Sequence, residues 1–512
     1  MKGSEVVLFV GTIFLLWMEN VSARGAFGKH HIKGTSVHKG ERKIIIKKQS
    51  APRQNYLTGI DSLPAGMTSV KQPGGSLRAA VGDGVTDDTS AIQAIVNHAM
   101  SSNITKVFFP RGEYLVNGNI AIADSVELYG TESGMAVIKA SDAYAIKIHN
   151  AVRVPVTNVV LRNLYFDGIL VEFKGQSINN ITIEGCMFFS SQSPGNASNA
   201  EKNKQLKMVD LRQGRVLRNV FMRDSHAYGV ALSFTRTVDV MLYNNLCGLK
   251  LSQDMHWLSN PVGLLVFFSR QKNKLEFLKT HYHLQDDQGY FESCLYEECD
   301  SRMQIGKNVF NGSPNTGRKR DHAIYLKGFN HMSVSSNYVR GWPANGTGGI
   351  KARNGQGLFL VRNYVDGTGI LLYSHENNNN KSCIYVGLKN VVVYGNHLRM
   401  QTNLNHSTSG LRYHEPHRVG RDENIKYSGN EFEIIGVSNP TYYTCIWLTN
   451  GDTSQHHVYR DNIYFGRSDT VKIAGRGGQV LDPAAYQQGD FDQRIKDRLN
   501  RYPLYNPNIP LY

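Results

Sequence analysis

Two short runs of this 512-residue chain carry side chains suited to chemistry: Ala323-Ile-Tyr-Leu-Lys327 and Gly349-Ile-Lys-Ala-Arg353, which begin 26 residues apart. Strand side chains alternate in direction, so Ile324, Leu326, Ile350 and Ala352 take one face and Tyr325, Lys327, Lys351 and Arg353 the other. With 26 residues as one turn of a coiled strand stack, Lys327 lies beside Arg353 and Tyr325 beside Lys351, about 4.8 Å apart. Four groups able to bind an anion or move a proton then share one small patch of surface.

Elimination at a uronic acid asks three services of a protein. A positive group neutralises the carboxylate, a base removes the neighbouring carbon-bound proton, and an acid protonates the leaving glycosidic oxygen. Lysine, arginine, tyrosine and histidine supply all three. Hydrolysis asks instead for two carboxylates about 5 to 9.5 Å apart. Lys327 is the candidate base and Arg353 the carboxylate clamp, since a guanidinium stays charged and its planar fork can bind bidentately. Tyr325 is either the acid or a platform for a sugar ring. Strand parity turns His322 inward with Ile324, while its place at a strand entrance leaves structural and catalytic roles both open.

The stretches YGVALSF, AIYLKG, GIKARNG, GILLYSH, GLRYHE and CIWLTNG have the same form. Aligned on their inward aliphatics, they give two outward columns. One reads Ala231, Tyr325, Lys351, Leu371, Arg412, Trp447, and the other Ser233, Lys327, Arg353, Tyr373, His414, Thr449. The middle of this wall is basic and aromatic, so Lys351, Tyr373, Arg412, His414 and Trp447 are candidate substrate contacts along a polymer. The aligned columns hold no Asp or Glu. Glu376 and Glu415, just past the strand ends, are the best hydrolase candidates.

A second unit, hydrophobic–x–hydrophobic–x–x–Asn–x–hydrophobic, must position that wall. Its asparagines are 163, 219, 337, 363, 396, 430 and 462, spaced unevenly but kept in register. Variable loops between stacked coils give this signature, and the short amide can satisfy backbone groups at a bend. Residues 248–320 break the repeat and read as an insertion over one face. They contain His281, His283, Asp286, Asp287, Glu297, Glu298 and Asp300, then a basic turn at Arg318-Lys-Arg320.

Composition sets the bounds. A solenoid can use this length as one elongated domain, and 49 Gly against 15 Pro suits many tight turns between short strands. The formal net charge of +15 favours acidic partners, but residues 24–53 hold nine Lys/Arg against the single acid Glu41. About half of the excess therefore sits in a solvated tail. Lys2, the apolar Val6 to Met18 and the small residues Val21-Ser-Ala23 read as a secretory leader, 1–23. The tail then spans 24–60, the coiled domain 61–475 and a C-terminal cap or arm 476–512. Six Cys are too few for a disulfide framework, although Cys294 and Cys299 can pair after export. No stretch beyond the leader is apolar enough to cross a bilayer. Seven Asn-x-Ser/Thr triplets follow the leader, Asn196 and Asn345 among them.

Gly82–Gln93, a Gly-Asp-Gly-x-x-Asp-Asp-Thr-x-Ala-Ile-Gln segment, and Phe109–Tyr114, a hydrophobic-Pro-x-Gly-x-Tyr segment, resemble the N-terminal motif of pectate-lyase-type right-handed parallel β-helix proteins. The resemblance implies an all-β, single-chain parallel β-helix with an N-terminal capping helix starting near Thr86 or Asp87. Asp83, Asp87 and Asp88 read as capping and turn residues rather than metal ligands. Lys327 followed by Arg353 on the next coil is similar to the base–arginine pairing of β-helix alginate lyases and chondroitinase B. Those enzymes carry calcium-binding carboxylates shortly before the lysine, where this chain has Arg320 and His322. The expectation is a secreted polysaccharide lyase, extracellular or periplasmic, acting on a uronate-containing anionic polysaccharide without a cofactor, calcium being the one metal the resemblance raises. Neither nucleic acid nor membrane is an expected partner. The alternatives are a tailspike-type glycoside hydrolase, a uronate C5-epimerase and a non-catalytic glycan-binding helix.

Overall fold

The computed structural model describes residues 63–248 and 293–474 apart from 103, 123–124, 132–134, 144, 151–155, 176–177, 193–206, 229–230, 299–300, 312–321, 341, 343–348, 376–386, 402–407, 415–421, 436–442, 450–456, 461 and 466–472. The leader, the basic tail, the C-terminal arm and most of the interruption at 248–320 lie outside them, as do Glu376, Glu415 and Cys299.

Every interstrand pairing among the described strands is parallel, and each strand pairs with its counterpart one coil away. The result is a right-handed parallel β-helix with three faces, organised as one 21-stranded and one 13-stranded sheet. One coil shows the plan. His322–Ser335 runs along the first face, bends, and continues along the second, and Tyr338–Arg340 forms the third. Ile350–Val361 and Tyr364–Asp366 repeat this in the next coil.

The inward positions explain why the sequence coils. On the first face Ile324, Leu326, Ile350, Ala352, Ile370, Leu372, Leu411 and Tyr413 are buried. Met332, Val334, Leu358, Leu360, Val391 and Val393 do the same on the second, and Val339, Val365, Leu398 and Phe432 on the third. All belong to one continuous apolar core. A one-residue slip of any strand would turn these groups to water, so register is strongly specified.

The corner between the second and third faces holds an asparagine ladder. Asn337 shows the unit: its side-chain amide donates to the Ile305 carbonyl at 2.8 Å and to Asn363 Oδ1 at 3.0 Å. Asn363 Oδ1 also accepts the Asn337 backbone N–H at 3.1 Å. The pattern passes through Asn245, Asn308, Asn337, Asn363, Asn396, Asn430 and Asn462. Asn163 and Asn219, grouped with this ladder on sequence, belong elsewhere. Asn163 sits one position earlier, at a left-handed corner with φ 55°. Asn219 (φ 56°) sits at the corner between the first and second faces, where it donates to Asn180 at 3.0 Å. Both corners need positive φ, which asparagine tolerates better than other non-glycine residues, so one letter serves three columns.

The N-terminal helix spans Thr89–Ser101, with Asp88 in the N-cap position and making no side-chain cap. Its N-cap is one or two residues later than the expected Thr86 or Asp87 because the aspartates serve the preceding turn. Asp88 accepts the Val81 and Gly82 amides, Asp83 those of Val85 and Thr86, and Asp87 that of Thr89. These bonds hold the Asp83 and Asp87 carboxyls below the ordinary carboxylate range.

The interruption is narrower than 248–320. Ser293–Glu298, Gln304–Gly306 and Val309–Asn311 are strands of the stack, one on each face, and complete a full coil before His322.

Candidate functional site

The wall lies on the first face. Tyr325 pairs with Lys351 and Lys327 with Arg353. Lys351 continues to Leu371, Arg412 and Trp447, and Arg353 to Tyr373, His414 and Thr449. The downstream columns are therefore those expected from sequence. The upstream end differs. Ser233 stands in the Tyr325 column and Thr235 in the Lys327 column, with Tyr296 and Glu298 between. Aligning Ala231 with Tyr325 was two residues out of step and skipped the Ser293–Glu298 strand.

The same pairings put carboxylate-bearing positions into columns that the sequence alignment left without them. Glu298 occupies the register position beside Lys327. Further upstream, His149, Glu172, Asp210 and Ser233 follow one another in the Tyr325 column. Glu172 is buried and bridged to Lys147 at 3.2 Å. Their strands begin and end outside the recurring motif, which is why the alignment passed over them.

In the middle of the wall, cations are set against aromatic rings. The Lys351 ammonium stands 4.9 Å from the centre of the Tyr325 ring and 5.1 Å from that of Tyr373, a clamp that fixes its position. The Arg353 guanidinium lies 5.5 Å from the Tyr373 ring. His414 packs against Tyr373 at 5.2 Å and 49°, and His375 stacks on it nearly parallel, 5.7 Å away at 12°. Tyr373 is thus the hub around which the neighbouring charges and rings gather. Lys327, Arg412 and His414 are half-buried. Burial lowers the Arg412 pKa from its ordinary value. His322 is buried, as parity predicted, yet its ring lies 5.3 Å from that of Tyr325, so it touches the wall from behind. Trp447 holds its expected register position.

Two buried devices behind the wall escaped the sequence reading. Asn354, itself at a left-handed corner with φ 47°, grips the backbone just after Tyr373: its amide donates to the His375 carbonyl at 3.0 Å and accepts the His375 N–H at 2.9 Å. Asp422 ties Ser374 to Leu388, accepting Ser374 Oγ and the Leu388 N–H, both at 2.8 Å, together with the Tyr413 hydroxyl. Gly355 follows Asn354 because a Cβ there would stand 2.3 Å from the Phe329 carbonyl. The available signal was weak: an Asn-Gly after a strand and a lone Asp before one.

Among the described residues no group of three or more His, Cys, Asp or Glu is arranged to hold a metal ion.

Comparisons with known proteins agree with the fold. Residues 78–262 match the family model described as rhamnogalacturonase A/epimerase, pectate lyase-like. That stretch ends before the Tyr325–Trp447 wall. The mannuronan C5-epimerase AlgE6 of Azotobacter vinelandii is 32% identical over 145 residues, 26% of this chain and 16% of the relative. Alginate lyase 7 of the same organism is 29% identical over 170 residues, 31% of this chain and 18% of the relative. The chain therefore matches less than a fifth of the length of either. The solved A-module of Azotobacter vinelandii AlgE6 superposes with a TM-score of 0.44 at 18% identity, covering 78% of this chain and 100% of the module.

Proposed function

We propose that this protein acts on a uronate-containing anionic polysaccharide by removing the proton at C5, with β-elimination as the outcome. The observation that carries the reading is the Lys327–Arg353 pair, in register on neighbouring strands and backed by the ring-clamped Lys351. Arg353 and Lys351 neutralise the uronate carboxylate and so acidify the C5 proton. Lys327 takes that proton on its nitrogen lone pair. The electron pair left at C5 forms the C4–C5 double bond as the C4–O bond breaks, and Tyr325 gives its hydroxyl proton to the leaving oxygen. His322 lies against Tyr325 and is placed to restore that proton. Lysine and tyrosine stand on one wall, which suits removal and delivery of protons on the same side of the sugar.

Epimerisation is the second reading, supported by the similarity to the mannuronan C5-epimerase AlgE6 as elimination is by the similarity to alginate lyase 7. It shares the first step but requires a proton donor on the opposite side of the ring, from a group overhanging the wall. Hydrolysis draws support from a different observation, the consecutive register positions of Glu172 and Asp210. One experiment separates the three. Alginate, pectate and glycosaminoglycans are incubated with the protein in deuterated solvent. Elimination gives absorbance from the new double bond with chain shortening, hydrolysis gives shortening without absorbance, and epimerisation gives deuterium at C5 with neither. No change in any polymer of the panel would overturn the enzymatic reading.

A further inference from the structure

The second face of the helix holds exposed aromatic groups that the wall does not use. Phe359 is 49% exposed, Tyr394 46%, and Met241 and Tyr243 37% each. Pairing places Met241, Gln304, Ser333, Phe359, Val392 and Lys426 in one outward column. The adjacent column runs Tyr243, Gly306, Ser335, Val361, Tyr394 and Ser428. Tyr243 and Tyr394 are four strand spacings apart, about 19 Å.

Both tyrosines lean onto a glycine of the following coil. A Cβ at Gly429 would stand 3.2 Å from Tyr394 Cε2, and one at Gly306 would stand 3.5 Å from Tyr243 Cδ2. The Tyr394 ring lies closer over Gly429 than a side chain there would comfortably allow, and the Tyr243 ring rests at ordinary contact distance over Gly306. A flat ring with its outer side toward water is a stacking platform, and the low residues Gly306, Ser333 and Ser335 leave a shallow path between the platforms. The surroundings are basic. The Lys307 ammonium stands 5.2 Å from the Tyr243 ring, Arg362 is an exposed corner residue and Lys426 is exposed. The nearby acids are matched by cations: Asp239 is held by Arg302 at 2.5 and 2.7 Å, and Glu423 by Lys389 at 3.0 Å. Apolar groups grouped on one exposed face of a soluble domain mark a contact surface.

We infer that the second face is a non-catalytic polysaccharide-binding surface, on which Tyr243, Phe359 and Tyr394 stack against sugar rings while Lys307, Arg362 and Lys426 meet the carboxylates of an anionic chain. The ligand class rests on the polysaccharide reading above; the platforms do not. Holding one part of a long polymer here raises the local concentration of the rest at the wall, an effect that short oligomers cannot obtain.

The test is the double variant Phe359→Thr/Tyr394→Thr, which keeps β-branched residues at exposed strand positions. It is compared with the unaltered chain for retardation in gels containing alginate or pectate, and for turnover of long polymer against short oligouronate. The expected result is a loss of about five- to tenfold in polymer affinity and a matching rise in KM for polymer, with oligomer turnover unchanged. Circular dichroism and melting confirm that the variant folds. Equal retardation and equal polymer KM in the two proteins would overturn the inference. So would a concentration-dependent dimer of the unaltered chain that the variant loses, which would make this face an interface between copies. If the unaltered chain neither binds nor alters any uronate polymer, the parent reading fails instead.

Discussion

The asparagine ladder and the cationic wall are built on the same coils by the same stacking of like residues, and they meet opposite electrostatic conditions. In the ladder each amide is donor to one neighbour and acceptor from the other, so repeating one residue type pairs every polar group. Lysine and arginine have no acceptor, so a column of them cannot satisfy itself. The wall holds Lys351 and Arg353 against aromatic faces, which position a charge without neutralising it. A column that pairs with itself is structural, whereas one that sets cations against aromatic rings is, on the reading proposed above, suited to an outside anion.

The largest effect is expected at the wall. Lys327→Ala should lower turnover of the responsive polymer by about 10²- to 10⁴-fold, the usual contribution of a general base, while polymer binding in gel retardation stays close to normal. Near-normal turnover by this variant would place the chemistry elsewhere, first toward Tyr373, Arg412 and His414.

Arg353→Lys comes next. It keeps the charge but loses the planar fork, so kcat should fall and KM rise, together lowering kcat/KM about ten- to a hundredfold. Because fixed cations neutralise the carboxylate in this scheme, activity should survive exhaustive chelation. Loss with chelator and recovery with calcium would show that a metal shares that duty.

The ladder predicts stability instead. Asn363→Ala leaves the Asn337 amide and backbone N–H and the Val334 carbonyl without their partner in a dry corner. Burying unsatisfied groups costs about 1–3 kcal/mol each, so chemical denaturation should show a loss of about 3 kcal/mol or more. Turnover per folded molecule should hardly change. A variant as stable as the parent would sink the distinction between the two kinds of column.

Much of this was legible because a solenoid writes its packing locally. The Ile324/Leu326 and Ile350/Ala352 alternation fixed which side chains face inward, and from Tyr325 to Thr449 the wall register followed from it. Legibility failed where position, not residue type, carries the meaning. Asn163, Asn219 and Asn337 look alike in sequence yet occupy three different columns at two corners, because positive φ and amide stacking both favour asparagine. Glu298 and Asp210 entered the wall columns only through pairing across long separations. Asp422 and Asn354 bond to groups of strands far from them in sequence, which no local pattern announces.

The smallest effect tests the same rule on a buried acid. Asp167 lies on the third face, 2% exposed, and accepts the Ser191 amide at 2.6 Å and the Ser191 hydroxyl at 2.5 Å. Burial raises its pKa above the ordinary 3.8; the Ser191 bonds and Lys139 pull it down without overcoming that. The folded protein therefore holds this proton more tightly than the unfolded chain does. The stabilisation is fully present below the unfolded pKa and is lost as pH rises through the folded value. Asp167→Asn removes the titration, and its amide oxygen can still accept one Ser191 bond. The difference in melting temperature between about pH 4 and about pH 7 should therefore shift toward higher relative stability at neutral pH, by no more than about 2 °C. A variant that instead loses stability selectively at neutral pH would mean that Asp167 works as a paired carboxylate, and that the third face, like the wall, manages charge rather than excluding it.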